Sequence, residues 1–354
     1  MTWTIAFGEL HGIFTWLHGL LVDTGLGQPW LNIVVYGALG GMVFGVLCLL
    51  ALFLVWWERK ISAHIQQRFG PMRHGWHGWY QTVADAVKLL QKEDILVTTR
   101  DRVVFFWAPV ICFVAAFLAY VCIPFGDGLI VADLNIGILY IMAVTTFTVI
   151  SLLMAGWGSN NKYALLGGMR SAAQIVSYEV PMVASILVIV IFVGSLSMVD
   201  IVKAQSGLVF NWFIFRVPFG PIAFVTYIIA GTAEANRTPF DIPEAEQELV
   251  AGYNVEYSGM KFAMFFLAEF INLFTVSAIA TTLFLGGWNG PILPSWLWFL
   301  GKTLLVVLLL MLFRWTYPRL RVDQLMEFAW KFLVPVTFAN LILGAWFKYA
   351  GWYW

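Results

Sequence analysis

The chain has 354 residues, 61% of them hydrophobic and only 11% charged, and its formal net charge is zero. A soluble domain carries roughly 25% charged residues, so this composition excludes an ordinary soluble fold. The balanced charge gives no nucleic-acid footprint. Mean hydropathy is +0.82, and apolar runs of about 20 residues recur along the chain. These features predict an all-α polytopic membrane protein, one membrane domain over 1–354 with about eight transmembrane helices.

Residues 1–30 are mildly apolar but interrupted by Glu9, His11, His18 and Asp23. They lack a basic start and a continuous apolar core, so they read as an interfacial segment rather than a cleaved signal. The first span covers 31–57 and ends in W-W-E-R-K, with Trp at the border and cations just beyond, a membrane-interface signature. The segment 58–102 then carries eight cations. Within it Trp79, Val83, Ala86, Val87 and Leu90 recur at helical spacing, with Asp85, Lys88 and Lys92 on the other face. That pattern predicts an amphipathic helix lying on the membrane surface. Further spans are expected at 103–125, 137–156, 178–197, 219–233, 262–286, 297–315 and 328–348. The three cysteines, Cys48, Cys112 and Cys122, lie in apolar segments without metal-ligand spacing. No redox centre is expected in the chain itself.

Between the fifth and sixth spans the sequence turns acidic. From Ala233 to Phe270 it carries Glu234, Asp241, Glu244, Glu246, Glu248, Glu256 and Glu269, against Arg237 and Lys261. Glu234 and Glu269 fall inside the apolar borders. Glu179 opens the fourth span, and Lys302 opens the seventh. A charge at the centre of a span costs roughly 2.5–3.5 kcal/mol on insertion scales, so such groups face the bundle interior, a partner or water. The functional reading is a proton or ion path; the structural one is a buried ion pair, or for Lys302 a side chain reaching the interface. On a helix Glu244 and Glu248 share a face and Glu246 points nearly opposite. Pro239 and Pro243 keep 238–242 out of regular helix. Arg314, Arg319, Arg321 and Asp323 form a basic loop that reads as a membrane anchor, a docking surface, or a lock on the carboxylate loop.

Of the 20 Lys and Arg residues, 16 fall in the segments 58–102, 157–177, 234–262 and 314–331. These are expected to be the cytoplasmic loops, with both termini on the outer face.

The motifs W-W-E-R-K-x9-R-F-G-P (56–71), A-D-A-V-K-L-L-x-K-E (84–93), A-G-W-G-S-N-N-K-Y-A-L-L-G-G-M-R-S-A-A-Q (155–174) and S-Y-E (177–179) occur together here. With them stand E-A-N-R-T-P-F-D-I-P-E-A-E-Q-E-L-V-A-G-Y-N-V-E-Y-S-G (234–259), L-A-E-F (267–270), K-T-L-L (302–305) and R-W-T-Y-P-R-L-R-V-D-Q-L-M (314–326). Over about 30–345 the chain closely resembles the H-type membrane subunit family of proton-pumping NADH–quinone oxidoreductase, respiratory complex I, called subunit 1 in mitochondria. The resemblance implies a component of a bacterial inner membrane enzyme that itself holds no cofactor. Iron–sulfur clusters and FMN belong to partner subunits, and quinone is the substrate. It implies that Glu58, Arg59, Arg68, Asp85, Lys88, Arg237 and Phe240 serve the quinone tunnel and its mouth. It implies proton coupling by Glu179, Glu234, Asp241, Glu244, Glu246, Glu248, Glu256 and Glu269. The implied partners are peripheral quinone-site and iron–sulfur subunits, small membrane subunits, antiporter-like subunits and lipid. The family pattern is broken at Met72 (usually Asn), G-W-H-G at 75–78, Thr82 (commonly Pro) and Gly158 (commonly Ser). Competing readings are the membrane anchor of an energy-converting hydrogenase, a stand-alone cation or proton transporter, and a passive anchor. The complete acidic loop favours the first family, and a large one-sided basic surface suits docking better than transport.

Overall fold

The computed structural model describes residues 28–207, 209–242, 250–291 and 293–351. The expected interfacial segment before residue 28, and Glu244, Glu246 and Glu248, lie outside the described residues. The helices in chain order are α1 (Gln28–Ile65), α2 (Gln81–Gln91), α3 (Arg102–Leu118), α4 (Gly137–Gly158), α5 (Lys162–Val193) and α6 (Met198–Ala204). They continue with α7 (Phe219–Glu234), α8 (Gly259–Phe284), α9 (Ser295–Thr316), α10 (Val322–Glu327) and α11 (Val334–Tyr349), the last two joined by a π-helical turn at Phe328–Leu333. Among the described residues seven helices are long and apolar enough to cross a membrane, and α7 is a shorter apolar helix. The protein is an all-α polytopic membrane protein.

α8 is the middle of the bundle. It packs on α1, α2, α3, α7 and α9, and every residue from 273 to 284 is buried. A helix apolar all round belongs in a core. Two buried tyrosines brace it through hydroxyls that need partners in so dry a place. Tyr120 donates to the Ile271 carbonyl at 2.9 Å and Tyr227 to the Val276 carbonyl at 3.0 Å. A third, Tyr178 on α5, donates to the Leu325 carbonyl at 3.0 Å and ties α10 to the bundle.

One expected loop proves to be largely helix. Residues 157–177 read as a linker because they are rich in Gly, Asn and Ser, yet α5 starts at Lys162 with Asn161 as its cap, its side chain accepting from the Tyr163 amide at 2.9 Å. The small residues are packing positions, as is usual where membrane helices approach closely. A Cβ on Gly167 would lie 2.7 Å from the Gly252 Cα, and one on Gly168 would lie 2.9 Å from the Leu152 carbonyl oxygen.

α2 shows the two faces expected of it, with Ala86 alone of the apolar stripe turned partly toward the bundle. Val83, Val87 and Leu90 are exposed, whereas Thr82 is buried and Asp85, Ala86 and Leu89 are half-buried against the bundle. The apolar stripe thus points away from this chain, as a helix lying on a bilayer requires. The polar face supplies a side chain to the interior.

At the far end of α8 the backbone carbonyls run out of helical partners. Lys302 takes them: its ammonium donates to the carbonyls of Leu285 at 2.8 Å, Gly287 at 3.1 Å and Asn289 at 2.6 Å. It also stands 3.9 Å from the Trp212 ring centroid, a cation–π contact. A cation at a helix C-terminus complements the dipole. Gln205 completes the clamp by donating to the Thr282 carbonyl and accepting from the Phe213 and Gly286 amides. Lys302 is buried and, among the described residues, is held by backbone carbonyls rather than by an acid. Lys302→Met is expected to cost about 3 kcal/mol, because it strands several buried carbonyls. The check is thermal inactivation of the membrane protein, which falls to lower temperature if the clamp matters and stays put if it does not.

Candidate functional site

Two adjoining features form the site: a large chamber and a buried ion cluster. The chamber has a volume of about 860 Å³ and is walled by α1, α2 and α8. α1 contributes Cys48, Ala51, Leu52, Val55 and Arg59; α8 contributes Met260, Phe262, Met264, Phe266, Leu267 and Phe270. α2 and the turn before it contribute Arg68, Pro71, Thr82, Asp85, Lys88 and Leu89. The charges stand at the α2 end, and the rest is aliphatic and aromatic. Such a cavity, mostly apolar with a few convergent polar groups, is the usual form of a small-molecule site.

The α2 end is built by a turn that depends on glycine. Gly78 has φ +75°, and a Cβ there would lie 2.1 Å from the Pro71 carbonyl oxygen. This fold-back sets α2 against α1, so that Arg59 reaches Asp85 at 2.5 Å. Gln81 adds a second donor to Asp85 at 3.2 Å. Arg68 donates to Gln66 at 2.6 Å. Of the altered family positions, Met72 has its sulfur 3.0 Å from the Lys60 ammonium, and Thr82 donates to the Trp79 carbonyl at 3.4 Å. Gly158 has its own reason: a Cβ would stand 2.9 Å from the Phe105 amide nitrogen.

Behind the chamber sits Arg237, only 4% exposed. It follows the C-terminus of α7 on non-helical backbone. Its Nη1 donates to both carboxylate oxygens of Glu58, at 3.0 and 2.9 Å, and its Nε lies 3.0 Å from Glu269 Oε1. Its guanidinium also covers the Phe270 ring, 4.5 Å from the centroid. Arg314 from α9 makes a second ion pair with Glu58. Glu58, itself buried, comes from α1, so one cluster joins α1, α8, α9 and the segment after α7. Phe270 also lines the chamber, so the cluster and the chamber share a wall. The basic loop approaches the same place, with the Leu320 amide donating to the Pro239 carbonyl at 3.1 Å.

Glu269 and Glu234 line a second, water-sized cavity of about 20 Å³ together with Thr148, Asn236, Tyr253 and Asn272. That is room for one water with several polar neighbours. Glu234 Oε2 is buried with no hydrogen-bond partner among the described residues. Glu179 is within electrostatic reach of Glu234 and accepts from Thr146 Oγ1 at 3.0 Å. Asp241 is within electrostatic reach of Glu269. Four acids, from α5, α7, α8 and the segment after α7, are therefore neighbours of one another around this small cavity.

Other candidates stand apart. Glu256 accepts from Asn161 Nδ2 at 2.7 Å, at the start of α5. Its neighbour Tyr257 stacks on Phe105, ring centroids 4.2 Å apart, and burial pushes its phenol well above the ordinary value. Phe240, expected in the tunnel, is not among the chamber's lining residues. It is buried, with its ring 5.2 Å from that of Tyr178 on α5. Arg321 and Asp323 flank the start of α10 rather than the cluster. Among the described residues no three His, Cys, Asp or Glu side chains converge as metal ligands.

Sequence reasoning misses the neutral groups around the acids: Thr146 and Asn161, which donate to Glu179 and Glu256, and Asn236 and Asn272, which line the small cavity. The available signal is a polar side chain at the membrane depth of a known acid. Removing a cation from a buried pair leaves an uncompensated charge and costs about 3–5 kcal/mol. Arg237→Met is therefore expected to impair assembly strongly, and adding Glu269→Gln to restore part of it. Native electrophoresis of solubilised membranes reads both, and a double variant no better assembled than the single would refute the coupling.

Comparison with known proteins is consistent with this geometry. The family described as NADH dehydrogenase matches residues 39–345. Among curated relatives, the H subunit of the NADH-quinone oxidoreductase of Dehalococcoides mccartyi is 50% identical over 319 residues, 89% of this chain and 87% of that protein. The corresponding H subunit of Geobacillus kaustophilus is 47% identical over 321 residues, 89% and 95% of the two chains. That of Bacteroides thetaiotaomicron is 41% identical over 348 residues, 94% and 96%. With most of its length matched by one family, and with these oxidoreductase subunits as its relatives, the chain belongs to the NADH dehydrogenase family as a membrane subunit of an NADH-quinone oxidoreductase.

Proposed function

We propose that this chain forms the membrane side of a quinone-access tunnel, anchors the peripheral redox arm, and starts the carboxylate path that couples quinone reduction to proton pumping. The observation that carries this reading is the chamber, apolar along α1 and α8 and charged only where Arg59, Arg68, Asp85 and Lys88 meet at α2. A quinone has the matching shape, a polar ring on an apolar tail. The charged end faces the segments rich in Lys and Arg, which the positive-inside rule assigns to the cytoplasm of a bacterial inner membrane. The peripheral quinone-site and iron–sulfur subunits would dock there, and FMN and the clusters belong to that arm.

Coupling follows from the shared wall. Glu58, Arg237, Glu269 and Arg314 form a nearly neutral set as long as the pairs stay closed. A change of charge in the chamber, as the ring takes up two electrons and two protons, acts on Arg237 through a low-dielectric wall, where a charge is felt far more strongly than in water. Loosening the Arg237–Glu269 pair alters the proton affinity of Glu269. The small cavity then offers a proton a place between Glu269 and Glu234, with Glu179 beyond, toward antiporter-like partner subunits. Asp241, Glu244, Glu246 and Glu248 belong to the loop that reports the state of the tunnel.

In an assembled complex, Asp241→Asn and Glu246→Gln are each expected to lower NADH–quinone reductase turnover on the order of tenfold or more, as loss of a proton-transferring group does. Unchanged turnover would count against a role in quinone chemistry. Glu179→Gln is expected to leave assembly intact and reduce protons pumped per electron, measured by pH-sensitive dye in vesicles. A normal ratio would remove Glu179 from the path.

A further inference from the structure

The chamber is not the end of the apolar space. Phe113 lines it, and Phe113 also lines a second cavity of about 510 Å³ on the side away from α2. This one follows the seam between α1 and α3. Gly40, Val43 and Phe44 form one wall, and Phe117 and Val121 the other. We propose that the seam holds the distal isoprenoid chain of the quinone whose ring end lies toward α2, an inference that rests on the quinone-tunnel reading above.

Polarity gives the direction. In the chamber the charged groups stand only at the α2 end, so an amphiphile orients its ring there and its tail toward Cys48 and Phe113. Among the described residues no charged side chain lines the seam cavity. Its phenol, Tyr120, already donates its hydroxyl to the Ile271 carbonyl at 2.9 Å. The seam is therefore an open apolar groove, with Met42, Phe44, Val114 and Leu118 exposed along it and, among the described residues, no charged group, which suits a hydrocarbon chain and gives a lipid headgroup nothing to hold. Phe44 stacks on Phe117 at 4.9 Å and meets Phe113 edge-on at 5.8 Å, so aromatic surface runs unbroken from one cavity to the next. Gly40 borders open space, since a Cβ there would meet nothing within 4 Å, so a large side chain at this position would project into the slot. Glycine in a helix interior is unfavourable by itself, so a larger residue favours the helix while filling the slot.

The test uses the assembled oxidoreductase in proteoliposomes. It compares KM for a long-chain isoprenoid quinone with KM for a short-chain analogue that lacks the distal tail. In Gly40→Phe, and independently in Val43→Phe, the ratio of long-chain to short-chain KM is expected to rise on the order of tenfold, the scale on which an apolar pocket discriminates chain length. Gly301→Phe on α9, another glycine with open space beside it, should leave the ratio unchanged. An unchanged ratio in both seam variants would overturn the proposal and leave the tail to pass sideways between α1 and α8, with a phospholipid or a neighbouring subunit in the seam. Equal rises with both quinones would also overturn it, since the block would then act on the chamber as a whole. Failure of the unsubstituted complex to reduce either quinone would instead remove the tunnel reading itself.

Discussion

A guanidinium almost completely withdrawn from solvent holds this structure together. Arg237 lies between Glu58 and Glu269, and Arg314 supports Glu58 from the other side. Desolvating such a group costs several kcal/mol, which its attraction to nearby carboxylates offsets only when the geometry is good. The contact with both oxygens of Glu58 and the ring of Phe270 beneath the guanidinium meet that condition. Because the four charges come from α1, α8, α9 and the segment after α7, the bundle cannot shift at this level without exposing one of them to hydrocarbon. The same cluster backs onto the chamber. The residues that hold the bundle at this level therefore also form a wall of the chamber.

The other end of α8 shows the opposite solution. There the unmet groups are carbonyls, and the ammonium of Lys302 serves three of them. Among the described residues its hydrogen-bond acceptors are all backbone carbonyls. A cation held by backbone dipoles and the face of Trp212 is a fixed peg, whereas one held between two acids can redistribute its contacts. The two ends of α8 therefore differ in kind: one is clamped, and the other is poised beside a cavity.

Much of this is legible in the residues. Hydropathy predicts the all-α membrane fold, and α7 already looks short because Glu234 closes its apolar run. Of the clustered charges Glu269 stands out by its place in an apolar run, Glu58 and Arg237 are singled out by the family resemblance, and Arg314 by its basic loop. Their pairing is not legible, because Glu58 and Arg314 lie 256 positions apart and no local pattern links them. The two faces of α2 are legible from periodicity, whereas the half-buried position of Ala86 on its apolar stripe depends on the bundle beside it. The sequence places the start of α5 too late because glycines that mark loops in water mark close helix contacts in membranes. Phe240 is assigned to the tunnel by resemblance to a motif, and its packing against Tyr178 follows from the path of the chain after α7.

The central claim is that the chamber between α1, α2 and α8 is the route of a quinone. The most direct measurement is photoaffinity labelling of the assembled complex with an azidoquinone, followed by peptide mapping. The account predicts label on α1 between Cys48 and Arg59, on α2 near Asp85 and on α8 between Met260 and Phe270, all displaced by excess unlabelled quinone. Displaceable label confined to other helices of this chain, or to its partners alone, would contradict it.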